Sequence, residues 1–417
     1  MDLWRIRGGQ RLNGVYPVQG SKNASLPILA ASILGPTESR LQNVPQLRDI
    51  DAALRILRHL GCKAEQREND VYIDARGITK SAIPHQLMLE MRSSVIFMGA
   101  LLARCGEARL CPPGGCQLGR RPIDLHLNAL RQLGAGIEED GEEIVCRAER
   151  LHGAVIRLPF PSVGATENIM LAATAAKGET VIRGAAREPE IVALERYLQK
   201  LGCEVSGAGT DTIVIGARRP AAALEHRIIA DRIAASTVAC AAAAVGGSVE
   251  LRGVNPEHFS TVLYFLKQAG CDIMCKNHSV WLRSGRTLRA VGALTTEPYP
   301  GFPTDAQPVL MAALLRAKGR SVITETIFEN RFRQVPELRR LGADITLSGQ
   351  SAEIRGVDSL HGTVLNATDL RGGAAMIVAG LQAAEETLVR DEGHIRRGYE
   401  SFDVCLRDLG ADVWLEH

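Results

Sequence analysis

Aromatic residues are scarce, since Trp, Tyr and Phe together make up only 4% of the 417 residues. So thin a supply cannot line a stacking platform along a nucleic acid. An excess of one charge is also missing: 49 Lys and Arg face 47 Asp and Glu, a formal balance of +2. No global basic footprint for DNA or RNA follows, although a local anion site stays compatible. Long apolar runs are absent, and without roughly 18 uncharged apolar residues in a row no membrane-spanning helix is expected. The most apolar stretch, Ala234 to Val245, is mostly alanine with Ser236 and Thr237 and reads as a tightly packed core helix. No apolar run backs the charges of Met1-Asp2-Leu3-Trp4-Arg5-Ile6-Arg7, so no signal peptide is expected. The ten cysteines are scattered rather than set in a disulfide framework, and Cys271 and Cys275 lack a second pair at zinc-ligand spacing. The expectation is a cytoplasmic chain with free thiols and no metal. At roughly 150 residues per domain the length suggests two or three domains, and 46% apolar residues supply a core for each.

What is present is repetition. Leu57-Arg58-His59-Leu60-Gly61-Cys62 recurs as Leu130-Arg131-Gln132-Leu133-Gly134-Ala135, Leu198-Gln199-Lys200-Leu201-Gly202-Cys203, Leu266-Lys267-Gln268-Ala269-Gly270-Cys271, Leu338-Arg339-Arg340-Leu341-Gly342-Ala343 and Leu406-Arg407-Asp408-Leu409-Gly410-Ala411. The glycines step by 73, 68, 68, 72 and 68 residues. Each follows an amphipathic helix and precedes a strand, the place of a left-handed helix-ending glycine. Small-residue helices also recur, over Ser21 to Leu34, Met91 to Arg104, Val163 to Lys177, Asp231 to Val245, Thr304 to Lys318 and Asp369 to Ala384. With the alternating runs between them, the unit reads strand, helix, strand, helix, strand, strand. That period exceeds the roughly 20–50 residues of common solenoid repeats. Six such units suit compact lobes with helical cores, most simply three plus three, with a crossing around Arg218 to Ile228.

The small-residue helices open on polar residues: Ser21-Lys22-Asn23, Arg92-Ser93-Ser94, Gly164-Ala165-Thr166, Asp231-Arg232, Thr304-Asp305 and Asp369-Leu370-Arg371-Gly372-Gly373. Unpaired N–H groups at helix starts hold anions well. Thr166, Asp231 and Thr304 read as ordinary caps. Lys22, Arg92 and Arg371 do not, because the helix dipole disfavours a cation there unless an anion sits beside it. A glycine-rich loop, Cys111-Pro112-Pro113-Gly114-Gly115-Cys116-Gln117-Leu118-Gly119-Arg120-Arg121-Pro122, sets Cys116 four and five residues before two arginines. Nearby cations favour a reactive thiolate; a surface thiol with incidental arginines is the other reading. The remaining nine cysteines read as small apolar fillers. Glu329 to Arg333 and His394 to Glu400 are dense in charge, with Arg333 and Arg396 compatible with solvated loops. For Arg187-Glu188-Pro189-Glu190, an internal ion pair and a ligand contact are equally open.

Together these segments resemble the UDP-N-acetylglucosamine 1-carboxyvinyltransferases, the enolpyruvyl transferases that begin peptidoglycan precursor synthesis. The likeness runs over nearly the whole chain through Gly20 to Ala24, the Pro113-Gly114-Gly115-Cys116 loop with Arg121 to His126, Ser162 to Asn168, Ala186 to Glu190, Phe302 to Asp305, Phe328 to Phe332, Ala367 to Arg371 and His394 to Glu400. It implies an α/β fold: a two-lobed inside-out α/β barrel of six βαβαββ units, with pseudo-threefold symmetry in each lobe. It implies a catalytic-loop lobe over 22–229, a second lobe from 1–21 plus 230–417 that the N-terminal strand joins, and an active site in the cleft. The implied substrates are phosphoenolpyruvate and UDP-N-acetylglucosamine, with phosphate released and no metal or organic cofactor. Nucleic acid and membrane insertion are not expected, and a monomer is compatible. By the resemblance Cys116 is the general acid and the target of fosfomycin, and Asp305 is the base that meets the sugar hydroxyl. Lys22, Asn23, Arg121 and Arg397 meet phosphoenolpyruvate, and Asn23, Asp369 and Arg371 surround the reacting centre. Arg92, Arg121, Pro122, Ile123, Asp124, Leu125, Ser162, Val163, Gly164, Asp305 and Ile327 meet the UDP-sugar.

The chain departs from the family pattern at Ala234, where a glutamate is usual, at Ser236 for glycine, at Gln334 for histidine and at Arg120 for a small residue. Two other readings compete: a 5-enolpyruvylshikimate-3-phosphate synthase, whose Gly-Asn-Ala-Gly-Thr motif is absent here, and a non-catalytic UDP-sugar-binding paralogue. Intact Cys116 and Asp305 argue against the second.

Overall fold

The computed structural model describes residues 1–111, 123–218, 223–285 and 287–417, with the side chains of all but Arg92, Ala217 and Arg218. The chain divides into two compact units, one built from residues 1–19 and 230–417 and the other from described residues between 20 and 229.

In the unit of residues 20–229, Leu224–Arg227 runs parallel to Glu38–Gln42, which pairs antiparallel with Asp70–Asp74, and that strand pairs with the edge strand Lys63–Arg67. Val155–Arg157, Thr180–Arg183, Thr212–Arg218 and Cys203–Ser206 repeat the arrangement. The third sheet holds Glu107–Leu110, Ile144–Arg147 and Gly136–Glu139, and Ala82 bridges Arg109 in parallel where a fourth strand would lie. The stretch expected as a crossing thus carries a strand, Leu224–Arg227, that belongs to this unit's first sheet.

Among the described residues the other unit also has three sheets. Leu12–Pro17 runs parallel to Gly247–Arg252, followed by Ser279–Ser284 and Asp272–Lys276. Gly292–Thr295, Arg320–Thr324, Ser351–Arg355 and Asp344–Ser348 form the second. Val364–Asn366, Glu386–Asp391, Asp2–Arg7 and Asp412–Glu416 form the third. The N-terminal segment therefore supplies one strand to each of two sheets, and Asp2 Oδ1 lies 3.2 Å from Nδ1 of the last residue, His417. Along Asp2–Arg7 alternate residues turn inward, with Trp4 and Ile6 buried, as a strand with one dry face requires. Outward positions carry cross-strand ion pairs such as Arg5–Glu386 at 3.0 Å and Arg40–Asp70 at 2.7 Å. Such pairs contribute little stability, at most about 1 kcal/mol each, but they keep the outer faces wet.

The small-residue helices are inside. Arg232–Val245 is buried at all 14 positions and packs with Gln307–Ala313 and Leu370–Gly380. In the other unit Phe97–Cys105 packs on both Lys22–Ala31 and Val163–Ala173. Alanine-rich faces let helix axes approach closely, which leaves the sheets as the outer layer. The helices are shorter than their sequence pattern. Ser32 and Thr174 donate to the carbonyls of Leu29 and Leu171, both at 2.7 Å, and such back-bonding competes with the helix ladder. Arg92 opens a 3₁₀ turn rather than the α-helix, which begins at Phe97. Thr304 lies in a turn before a helix that begins at Gln307, where Pro308 fits the first turn. All six repeat glycines have positive φ, between 86° and 108°. At Gly61 the glycine N–H bonds to Arg58 and the next N–H to Leu57, and the same pair of bonds closes the turns at Gly134, Gly270, Gly342 and Gly410. Among the described residues no helix is long and apolar enough to cross a membrane.

Candidate active site

The unit of residues 1–19 and 230–417 carries a cluster of charges around Asp305. Asp305 sits in the turn that leads from Pro303 into the Gln307 helix. Its Oδ1 accepts from Arg371 Nε at 3.1 Å and from Arg331 Nη2 at 3.3 Å. Both guanidiniums are almost wholly buried, whereas the Asp305 side chain keeps 35% of its surface open. The carboxylate is thus gripped from behind and presented in front. Burial works against its charge, but Arg371, Arg331 and Arg232 outweigh burial and hold the carboxyl well below the usual carboxylate range.

Arg371 is the second residue of the Leu370–Gly380 helix. Asp369 caps that helix, with Oδ1 accepting from the N–H groups of Arg371 at 2.9 Å and Gly372 at 3.1 Å. The awkward cation at a helix start therefore has two carboxylates beside it, which offsets the dipole. The Arg371 guanidinium lies over the Tyr399 ring at 5.4 Å, and the Tyr399 hydroxyl bonds Thr237 at 2.9 Å. A side-chain hydrogen bond with Tyr399 also holds the Arg371 guanidinium. Arg397 ends the short turn Ile395–Arg397, which packs on the Leu370 helix. Asp391 holds that turn by accepting from the N–H groups of His394 and Ile395, and Gln19 holds the next residues through Gly398 and Glu400. Arg396 pairs with Asp2 at 2.9 Å rather than standing as a solvated loop cation. Ile327 is half-buried, its N–H donating to Glu325.

The unit of residues 20–229 carries the other described candidates. Lys22 opens its helix behind the N-cap Ser21, and its Nζ lies 3.2 Å from the buried Asp49 carboxylate. Asn23 follows, half-buried. Ser162 caps the Val163–Ala173 helix, accepting from Ala165 N–H. Ile123 precedes the Asp124–Gln132 helix, with Asp124 exposed and Leu125 half-buried. His126 ties these two segments together: its Nδ1 lies 2.8 Å from Asn168 Nδ2, and its ring lies against Gly164. Because the Asn168 amide donates, Nδ1 is the acceptor and the proton sits on Nε2. Burial lowers His126 to about 4, so the ring is neutral at physiological pH. Asn168 Oδ1 in turn accepts from Gly99 N–H at 2.7 Å. Thr166 is a buried bridge, donating to Ser162 and accepting from Ala186 N–H, not a cap; Asp231 is one, accepting from Ile233 and Ala234. Arg187 donates to the Gly209 carbonyl. Cys116, Arg120, Arg121 and Pro122 lie outside the described residues, as does the side chain of Arg92.

Three residues without an assigned role emerge. Asp49 answers Lys22. Arg331 donates through Nε and Nη2 to the Thr304 carbonyl at 3.1 and 2.9 Å while it holds Asp305. Glu325 is buried and accepts from the Thr304 hydroxyl at 2.9 Å. Its signal was present in the strand register: Ser321, Ile323 and Glu325 alternate inward, so a carboxylate falls on a dry face. The three described departures from the family pattern, Ala234, Ser236 and Gln334, are quiet. Ala234 and Ser236 are fully buried in their helix, and the Ser236 hydroxyl is satisfied by the Arg232 carbonyl at 2.6 Å. Gln334 is buried beside Met311 Sδ at 3.8 Å. Among the nine described cysteines five are buried, while Cys105 and Cys275 are exposed rather than filling a core.

A family model described as EPSP synthase (3-phosphoshikimate 1-carboxyvinyltransferase) matches residues 6–406. Among solved structures, the enolpyruvyl transferase NikO from Streptomyces tendae superposes with a TM-score of 0.88 at 25% identity, covering 99% of this chain and 98% of that one. An EPSP synthase from Acinetobacter baumannii shares the fold, with a TM-score of 0.79 at 20% identity over the full length of both. The fold is that of an enolpyruvyl transferase. UDP-N-acetylglucosamine 1-carboxyvinyltransferase 2 of Caldanaerobacter subterraneus subsp. tengcongensis is 48% identical over 99% of both chains, and UDP-N-acetylglucosamine 1-carboxyvinyltransferase of Geotalea uraniireducens is 45% identical over 99% of both. The chain belongs to the UDP-N-acetylglucosamine 1-carboxyvinyltransferase family.

Proposed function

We propose that this enzyme transfers the enolpyruvyl group of phosphoenolpyruvate to the 3′-hydroxyl of UDP-N-acetylglucosamine in the cytoplasm, releasing phosphate for peptidoglycan precursor synthesis. The observation that carries the reading is Asp305, a carboxylate kept charged by two buried arginines yet open to solvent on one side. The hydroxyl oxygen attacks C2 of the donor as Asp305 accepts its proton, and Cys116 delivers a proton to the C3 methylene. The tetrahedral adduct then loses a C3 proton and the phosphate, restoring the double bond. A carboxylate stabilised this firmly is a weak base in the free enzyme. Anionic donor groups beside Arg371 share its charge, which raises Asp305 toward useful basicity when both substrates are bound. Lys22, Arg121 and Arg397 neutralise the donor phosphate and carboxylate, and the Asn23 amide hydrogen-bonds to the donor. Arg92, Arg121 to Leu125, Ser162 to Gly164 and Ile327 receive the sugar nucleotide.

Phosphate release from phosphoenolpyruvate, measured with UDP-N-acetylglucosamine, with shikimate 3-phosphate and with neither, tests the reading. Turnover is expected with the sugar nucleotide alone. Turnover with shikimate 3-phosphate would favour the synthase reading, and sugar-nucleotide binding without turnover would favour a non-catalytic paralogue.

A further inference from the structure

We propose that Glu325 is a positioning residue that sets the catalytic base and the acceptor-sugar contact as one piece, an inference that rests on the reading of Asp305 as the base. Glu325 directly follows the strand Arg320–Thr324, continuing the inward alternation of Ser321 and Ile323, and is only 1% exposed. Its two carboxylate oxygens do different work. Oε2 accepts from the Thr304 hydroxyl at 2.9 Å. Oε1 accepts from the backbone N–H groups of Ile327 at 2.8 Å and Phe328 at 3.1 Å. One side therefore grips the residue before Asp305, and the other fixes the turn that carries Ile327.

Thr304 is held at its other end as well, because Arg331 donates twice to its carbonyl and once to Asp305. With hydroxyl and carbonyl both pinned, the Thr304–Asp305 peptide has little freedom to rotate. Asp305 then faces its substrate in one orientation rather than a range. A buried carboxylate with three donors is costly to assemble and costly to break. Ion pairing to a single cation would have served stability as well; donors on two separate turns serve geometry. A misplacement of about 1 Å at a reacting group can cost about a hundredfold in rate.

The test uses the full chain and three variants. Glu325→Gln keeps the size of the side chain but weakens both grips. Thr304→Val removes only the hydroxyl. Thr304→Ser keeps it and serves as the conservative rescue. Glu325→Gln is expected to lower kcat at least about tenfold and to raise KM for UDP-N-acetylglucosamine, with KM for phosphoenolpyruvate unchanged. Thr304→Val should lower kcat with smaller effect on either KM, and Thr304→Ser should behave as the parent. A purely structural role would instead reduce the active fraction and leave both KM values alone. Parent-like kinetics in Glu325→Gln, or a Thr304→Ser as slow as Thr304→Val, would overturn the proposal. A parent inactive with both acceptors would defeat the activity reading instead. The positioning is then read from crystals of Glu325→Gln, where an unmoved Thr304–Asp305 turn counts against it and a displaced one supports it.

Discussion

In the proposed reaction Asp305 takes a proton from a sugar hydroxyl while two guanidiniums favour its charge. The balance predicts a group that is ionised throughout the physiological range and whose loss is felt in the chemical step. Asp305→Asn should retain the charge-free shape and lower kcat by about a hundredfold or more. A steady-state assay checks this, and a variant with near-parental kcat would remove Asp305 from the role of base. The cysteines bear on the acid. Burial raises Cys62 and Cys146 to about 12 and Cys271 and Cys405 to about 11, and also raises Cys105, Cys111 and Cys275. These thiols are protonated at neutral pH and poor nucleophiles. Fosfomycin, a small electrophilic phosphonate, should therefore label Cys116 selectively, and Cys116→Ser should lose both label and most turnover. Peptide mapping that finds the label spread over other cysteines would refute this.

At the scale of single elements, the repeat glycines end helices through a left-handed turn, and the cost of replacing one depends on what surrounds it. Gly270 has φ 102° and open space about its α-carbon, the nearest atom to an added Cβ being Arg289 Nε at 3.9 Å. Gly270→Ala should cost the backbone strain alone, about 1–2 kcal/mol. Gly61 has φ 108°, but an added Cβ would stand 2.3 Å from the Gly77 carbonyl oxygen. Gly61→Ala must pay for strain and collision together and should be the more destabilising of the two. Urea unfolding of both variants checks the order; equal losses would mean that the Gly77 segment yields freely.

For the molecule as a whole, acid should weaken the unit of residues 20–229. Burial lowers both His126 and His226 from 6.5 to about 4, with Lys200 and Arg196 adding to the effect on His226. Among the described residues neither ring nitrogen of His226 has a hydrogen-bond partner, and the ring sits edge-on to Tyr197 at 5.5 Å. Between these values the unfolded chain binds protons that the folded unit refuses. Stability is therefore full above about pH 6.5 and declines as pH falls toward 4, each histidine accounting for on the order of 3 kcal/mol across the window. His226→Phe should lose less stability than the parent between pH 7.5 and 5. The comparison is of the pH-dependent loss within each protein, so any change in packing at pH 7.5 drops out. An equal loss in both would show that His226 does not contribute.

The sequence by itself determined the repeating unit, the small-residue helices and the helix-ending glycines. Each of these rests on local physics: a period of apolar residues, a backbone that needs positive φ, and a cap such as Asp231 within a few residues of the groups it satisfies. The roles of Cys116, Arg121 and the other candidates came from likeness to a family, not from spacing. Only the tertiary structure decided which strand completes which sheet, as when Leu12–Pro17 joins Gly247–Arg252, because parallel pairing is specified by packing between distant segments. Helix starts at Arg92 and Thr304 gave way to a 3₁₀ turn and a turn, where polar openings alone could not tell a cap from a bend. The grip on Asp305 likewise lay beyond sequence reasoning. Arg371 reaches it across 66 residues and Arg331 across 26, and nothing in a charge pattern says which carboxylate a buried arginine will find until the core has closed around both.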